Sequence, residues 1–114
     1  MKNFDASDYR RSVSRAWFER LQEELIAAFE LLECEAEGPI AEPGMAPGRF
    51  VTKPWARTDR GGGDGGGGRM AILKGRVFEK MAVHTSTVFG TFPPEFAAQI
   101  PGAGINPPFW ASGV

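Results

Sequence analysis

Residues 55–90 run WARTDRGGGDGGGGRMAILKGRVFEKMAVHTSTVFG. An aromatic and basic lead-in runs into glycine, which fills seven of the eight positions from Gly61 to Gly68. No apolar side chain is available there to anchor a loop in a core, so the run is expected to be a loop that moves unless something holds it. The segments after it are rich in Ile, Val, Phe and Thr and are broken at Lys74-Gly75. That pattern suits a tight hairpin from Arg69 to about Lys80, with Gly75-Arg76-Val77-Phe78-Glu79-Lys80 as a strand-like segment. Val83 to Phe89 reads as a further strand, with Val83, Thr85, Thr87 and Phe89 on one side and His84, Ser86 and Val88 on the other. The expected picture is a glycine loop, residues 61–68, on the rim of a sheet spanning 49–90.

Upstream, Arg49 to Lys53 is a short strand candidate closed by Pro54. Residues 35–48 form a connector, in which Pro39, Pro43 and Pro47 each remove a backbone donor and disfavour helix. Before it, Val13, Trp17, Leu21, Leu25, Ala28, Phe29 and Leu32 recur at spacings of three and four, which predicts an amphipathic helix over residues 7–34, capped by Asp5 or Ser7. Its other face carries Arg11, Arg15, Glu19, Glu23 and Glu30 and reads as a solvated surface. Downstream, residues 91–114 divide into a loop, a turn or two of helix from Pro93 to Ala98, a second loop over 102–108, and the start of a strand at Phe109.

The fold class that follows is α+β, a long N-terminal helix packed on part of an antiparallel sheet. A two- or three-stranded sheet with one helix is barely stable in water, so the chain is expected to be an incomplete piece of a larger helix-flanked sheet domain.

Composition narrows the function. A net charge of -1 over 114 residues offers no concentrated excess of Lys and Arg, which argues against nucleic acid as a partner. The single cysteine, Cys34, cannot form an internal disulfide and fits a reducing compartment. The opening MKNFDASDYRR lacks the apolar segment of a secretory signal, and the longest uninterrupted apolar run is Leu25 to Phe29, so a cytoplasmic chain without membrane insertion is expected.

Few side chains point to chemistry on their own. The glycine run satisfies G-x-G-x-x-G, but that motif carries meaning only between a strand and a helix, and here a strand-like segment follows. A flexible loop is the plain reading; a flap over an anionic ligand, flanked by Arg57, Arg60 and Arg69, is the sharper one. His84 is the only histidine, so no histidine cluster can build a metal site. Ser86 has no nucleophile elbow around it.

In combination the motifs say more. Trp55-x-Arg57, the glycine run ending at Gly68, Gly75-Arg76-Val77-Phe78-Glu79-Lys80, Val83-His84-Thr85-Ser86-Thr87-Val88-Phe89-Gly90, the long helix and the closing Phe109-Trp110-Ala111-Ser112-Gly113-Val114 together resemble the N-terminal third of oxygen-dependent coproporphyrinogen III oxidase. The resemblance implies oxidative decarboxylation in haem biosynthesis: dioxygen, as co-substrate, converts two propionates of coproporphyrinogen III to vinyl groups, giving protoporphyrinogen IX, without an organic cofactor. It also implies a large helix-flanked antiparallel sheet and a homodimer.

Four propionates call for Arg donors and pyrrole N–H groups for a carboxylate. Trp55, Arg57, Arg69 and Ser86 are accordingly the candidates near the substrate cleft, with Gly65, Gly66, Gly67 and Gly68 as a flap. Two departures stand out: Asp64 splits a glycine run longer than the family's, and Ala82 and His84 stand where glycine and asparagine are common. The family's catalytic residues are expected downstream of Val114, so none is assigned here and the chain is expected to be inactive alone. The rival reading is a non-catalytic truncated module whose helix and sheet edge serve binding or dimerisation.

Overall fold

A computed structural model describes residues 5–102, 104 and 107–114 of the chain. Residues 103, 105 and 106 of the expected 102–108 loop lie outside the described residues. The first element, α1 (Ala6–Glu35), starts where the sequence has a cap: the Asp5 carboxylate accepts the Ser7 N–H at 2.8 Å, satisfying one of the donors that a helix start leaves unpaired. Along its exposed side Arg15 donates to Glu19 at 3.0 Å and Arg20 to Glu24 at 3.1 Å. Such solvated pairs add a few tenths of a kcal/mol at most.

The strands are β1 (Phe50–Thr58), β2 (Asp64–Leu73), the two-residue β3 (Met81–Ala82), β4 (Thr85–Thr91) and β5 (Pro108–Gly113). A single helical turn, α2 (Pro94–Ala97), leads from β4 to β5. All pairings are antiparallel, in the spatial order β1-β2-β4-β5, with β3 attached to the end of β2 through Ile72↔Ala82 and Leu73↔Met81. One long helix and a five-stranded antiparallel sheet make the fold α+β, as the sequence predicts. Among the described residues no helix is long and apolar enough to cross a membrane.

The glycine run is where expectation and structure part. Only residues 59–63 form the turn between β1 and β2, with Gly62 at φ 91. Gly65, Gly66, Gly67 and Gly68, expected from sequence to form a flap, lie inside β2; Gly67 and Gly68 pair with β1 through Ala56↔Gly67 and Trp55↔Gly68, and Gly66, Gly67 and Gly68 with β4 through Gly66↔Val88, Gly67↔Thr87 and Gly68↔Ser86. The reason is steric. A Cβ at Gly67 would strike the Trp55 carbonyl oxygen, and one at Gly68 the Thr85 carbonyl oxygen, so the missing side chains let three backbones approach closely.

Three further boundaries move. β1 runs through Pro54 rather than stopping at it; the strand is an edge strand, where one row of backbone groups has no ladder partner to lose. β5 is paired with β4 over its whole length, from Ser86↔Gly113 to Thr91↔Pro108. Residues 75–80 are not a strand, because the N–H groups of Arg76, Val77 and Phe78 all converge on one carboxylate, and successive N–H groups of an extended strand point to opposite sides.

That carboxylate is Glu33, fully buried at 0% exposure. Its Oε1 accepts the N–H groups of Gly48 and Arg76, both at 2.8 Å, and its Oε2 those of Val77 at 2.7 Å and Phe78 at 2.9 Å. Arg76 completes the junction by donating from Nε to the Glu33 carbonyl at 2.8 Å and from Nη2 to the Cys34 carbonyl at 3.0 Å. It thereby satisfies carbonyls at a helix end that has no basic residue of its own. Phe29 meets Phe78 edge to face at 5.5 Å beside it.

A Cβ at Gly75 would enter the Glu33 carboxylate, and one at Gly48 would enter Gly75 and the Lys74 carbonyl. Gly75→Ala is therefore expected to lower stability by about 1–3 kcal/mol, read as a shifted urea midpoint with an unchanged slope.

The helix also turns a different side to the sheet. Its buried residues are Gln22 and Glu33, whereas Val13, Trp17 and Leu32 of the expected core face are 50%, 50% and 49% exposed. At 3.6 residues per turn, the less exposed line through Phe18, Gln22, Leu25, Phe29 and Glu33 is rotated by roughly 70° from the apolar stripe. The buried apolar side chains of the sheet region are Ala71, Leu73, Val83 and Ala97, so two satisfied polar groups hold the helix at positions where a helix of this kind usually has leucines.

Candidate functional site

Gln22 is the first of those anchors. At 1% exposure it reaches from α1 to the sheet, and its Nε2 donates to the carbonyl oxygens of Arg69 and Val83, each at 2.9 Å. Its Oε1 accepts the Nε–H of Arg69 at 2.9 Å. Arg69 also donates its backbone N–H to Thr85 Oγ1 at 3.1 Å, and its Nη2 lies 3.9 Å from the exposed Glu23. One side chain thus ties together α1, β2 and the residue leading into β4, and it fixes both the backbone and the guanidinium of Arg69.

Around this contact lies an open cleft of about 510 Å3. The helix contributes Arg15, Glu19, Gln22 and Glu23; β1 contributes Trp55; β2 contributes Asp64, Gly66, Gly67, Gly68 and Arg69; β4 contributes Thr85 and Phe89. Arg15, Glu19 and Glu23, read from sequence as a solvated helix face, therefore line its wall. Two guanidinium groups face three carboxylates, so the cleft is polar without being strongly basic. The bare backbone of the glycines forms its floor. A smaller apolar hollow of about 210 Å3 lies at the far end of α1, between Leu32, Ala36, Ile40, Val77 and Phe78.

The four side chains singled out in sequence separate. Trp55 and Arg69 line the cleft. Ser86 does not: it is half-buried, and strand alternation gives the cleft its neighbour Thr85 instead. Arg57 has its donors engaged elsewhere. Its Nη1 donates to the carbonyls of Phe89 at 2.9 Å and Gly65 at 3.3 Å, its Nη2 lies 3.4 Å from Asp59, and its guanidinium sits 5.4 Å from the centre of the Phe109 ring. It bridges β1, β2, β4 and β5 next to Gly66, at φ 93, where the register of β1 against β2 shifts between Ala56 and Thr58. His84 is exposed, and its Nδ1 accepts the Ala71 N–H at 3.2 Å.

Gln22 and Glu33 escaped the sequence reading because a lone Gln or Glu on an apolar helix face resembles any other interruption of the stripe. The nearest signal is that both fall among Leu, Ile and Phe rather than on the charged side.

The fold and cleft define an α+β protein in which a helix and a glycine-floored sheet enclose a polar groove around a clamped arginine. In sequence the chain is similar to the oxygen-dependent coproporphyrinogen-III oxidases. It is 42% identical over 104 residues to the enzyme of that name from Rickettsia bellii, 40% to that from Rickettsia felis and 39% to that from Rickettsia rickettsii. Each match covers 91% of this chain and 34% of the relative, so the chain spans about a third of the length of these proteins. No protein-family model and no solved structure matches the chain.

Proposed function

We propose that this chain is part of a coproporphyrinogen oxidase, a cytoplasmic enzyme of haem biosynthesis that uses dioxygen to decarboxylate coproporphyrinogen III to protoporphyrinogen IX. Each turnover at one propionate converts –CH2CH2COOH and O2 into –CH=CH2, CO2 and H2O2, with the two electrons and two hydrogens passing to oxygen and no organic cofactor required. The observation that carries the reading is Arg69, held by Gln22 on the floor of an open cleft in a chain related to enzymes of that name.

Arg69 receives a propionate carboxylate through charge-assisted hydrogen bonds. The Trp55 indole offers an apolar face to the macrocycle, and the glycine strand lets it approach the backbone. Glu19, Glu23 and Asp64 supply acceptors for pyrrole N–H groups. The remaining two thirds of the relatives' length supplies the catalytic groups, and the chain alone does not turn over.

Anaerobic calorimetric titration with coproporphyrinogen III tests this. The chain is expected to bind it, and Arg69→Ala to weaken binding about tenfold, the loss of roughly one charge-assisted contact. Absence of binding, or protoporphyrinogen formation by the chain alone in air, would count against the reading.

A second reading has its own observation. Val13, Trp17, Leu31 and Leu32 of α1 and Ile40 beyond it are 49–65% exposed, and the radius of gyration is 19.3 Å, against about 13 Å for a compact chain of this length. In that reading the helix and sheet edge form a binding surface, as in a non-catalytic module or in the homodimer proposed for the whole enzyme. A chain that stays monomeric by sedimentation and has no tetrapyrrole affinity would favour the module.

A further inference from the structure

Gln22 has a property that helix packing alone does not require. A leucine at a fully buried helix position would fill the space; this amide instead makes three directed bonds, all to Arg69 or to the backbone beside it. By accepting from Nε at 2.9 Å, Gln22 occupies the side-on edge of the Arg69 guanidinium. Nη2 has only the 3.9 Å contact to Glu23, a solvated side chain at 71% exposure, and Nη1 has no partner among the described residues. The end-on fork Nη1/Nη2 is what remains for a planar acceptor, and its direction is set by Gln22.

We infer that Gln22 is a positioning residue: it holds Arg69 so that the Nη1/Nη2 pair meets a substrate carboxylate end-on. This rests on the reading of the cleft as a tetrapyrrole site. Holding a side chain with this much rotamer freedom before the ligand arrives removes an ordering cost from binding, so the effect belongs to carboxylate recognition and not to contact with the macrocycle.

The test uses the whole chain and two probes, coproporphyrinogen III and its tetramethyl ester, titrated anaerobically by calorimetry beside thermal melts of each variant. Gln22→Met is expected to weaken binding of the acid about tenfold and to leave the ester unchanged. Combined with Arg69→Ala it is expected to add nothing to the loss caused by Arg69→Ala alone. Arg69→Lys leaves both Gln22 bonds to backbone carbonyls in place while removing the Nε–H, so it keeps the fold if Gln22→Met does not, and the same selective loss is expected.

Equal losses for acid and ester, or unchanged affinity for the acid in Gln22→Met or in Arg69→Lys, would overturn the inference while leaving the cleft's substrate intact. No binding of either probe by the unaltered chain would overturn the reading of the cleft and the inference with it.

Discussion

Replacing Glu33 by alanine is expected to cost about 3–5 kcal/mol, the largest effect of any single side chain here. The carboxylate accepts four backbone N–H groups, from Gly48, Arg76, Val77 and Phe78, at 2.7–2.9 Å in a site closed to water. Removing it leaves those donors buried without an acceptor, and each such group costs about 1–3 kcal/mol, less when the loop can relax. Glu33→Gln keeps the shape but offers one acceptor oxygen where two are needed, so an intermediate loss is expected.

The same contact sets an acid limit. Burial by itself would push the Glu33 carboxyl up, but the hydrogen bonds from Gly48, Phe78, Val77 and Arg76 outweigh it and hold it at about 2, below the ordinary 4.5. A carboxyl lowered on folding stabilises the native state fully above its unfolded value, and that stabilisation is lost as the pH falls from 4.5 towards about 2. Urea midpoints across that window are expected to fall for the natural sequence and to fall less for Glu33→Ala. Identical acid limbs in the two proteins would show that the hub contributes nothing.

Gly68→Ala is expected to be nearly as damaging, at about 3 kcal/mol or more, because the two nearest atoms a Cβ would meet are backbone. The Thr85 carbonyl oxygen and carbon occupy that space on one side, and the Trp55 indole nitrogen, 3.0 Å away, occupies it on another. Neither strand can withdraw without giving up ladder bonds in β1-β2-β4. Gly61→Ala is the control: nothing lies within 4 Å of its Cβ position, and its effect is expected to stay within about 0.5 kcal/mol. Comparable melting temperatures for the two variants would mean that the glycine strand is not packed as described. Because Gly66, Gly67 and Gly68 floor the cleft, Gly68→Ala is also expected to reduce the tetrapyrrole binding proposed for it.

Much of the architecture was legible from local signals. The cap at Asp5 and the three-four spacing of apolar residues mark α1 to within a residue at each end, and the alternation read over residues 83–89 marks β4, Thr85–Thr91, to within two. The class of fold follows from these. Two of the four candidate side chains, Trp55 and Arg69, reach the cleft; Ser86 falls off it by strand alternation, and Arg57 is engaged in bridging strands. The site's anchors were not legible, since burial of Gln22 or Glu33 depends on carbonyl and N–H groups that lie 15 to 61 residues away along the chain.

The glycine run shows the division most sharply. Taken alone, Gly65 to Gly68 has no side chain to state a preference, and conformational entropy favours a loop. Only the neighbours on both sides, β1 and β4, turn the absence of side chains into a close backbone approach and make the run part of an interior strand of the sheet. The long helix, the α+β class and the resemblance to the coproporphyrinogen oxidases are all readable along the chain, because they depend on periodicity and on the order of short motifs. Which face of the helix is buried, what holds Arg69 and where the glycines lie are settled by backbone groups that meet only on folding.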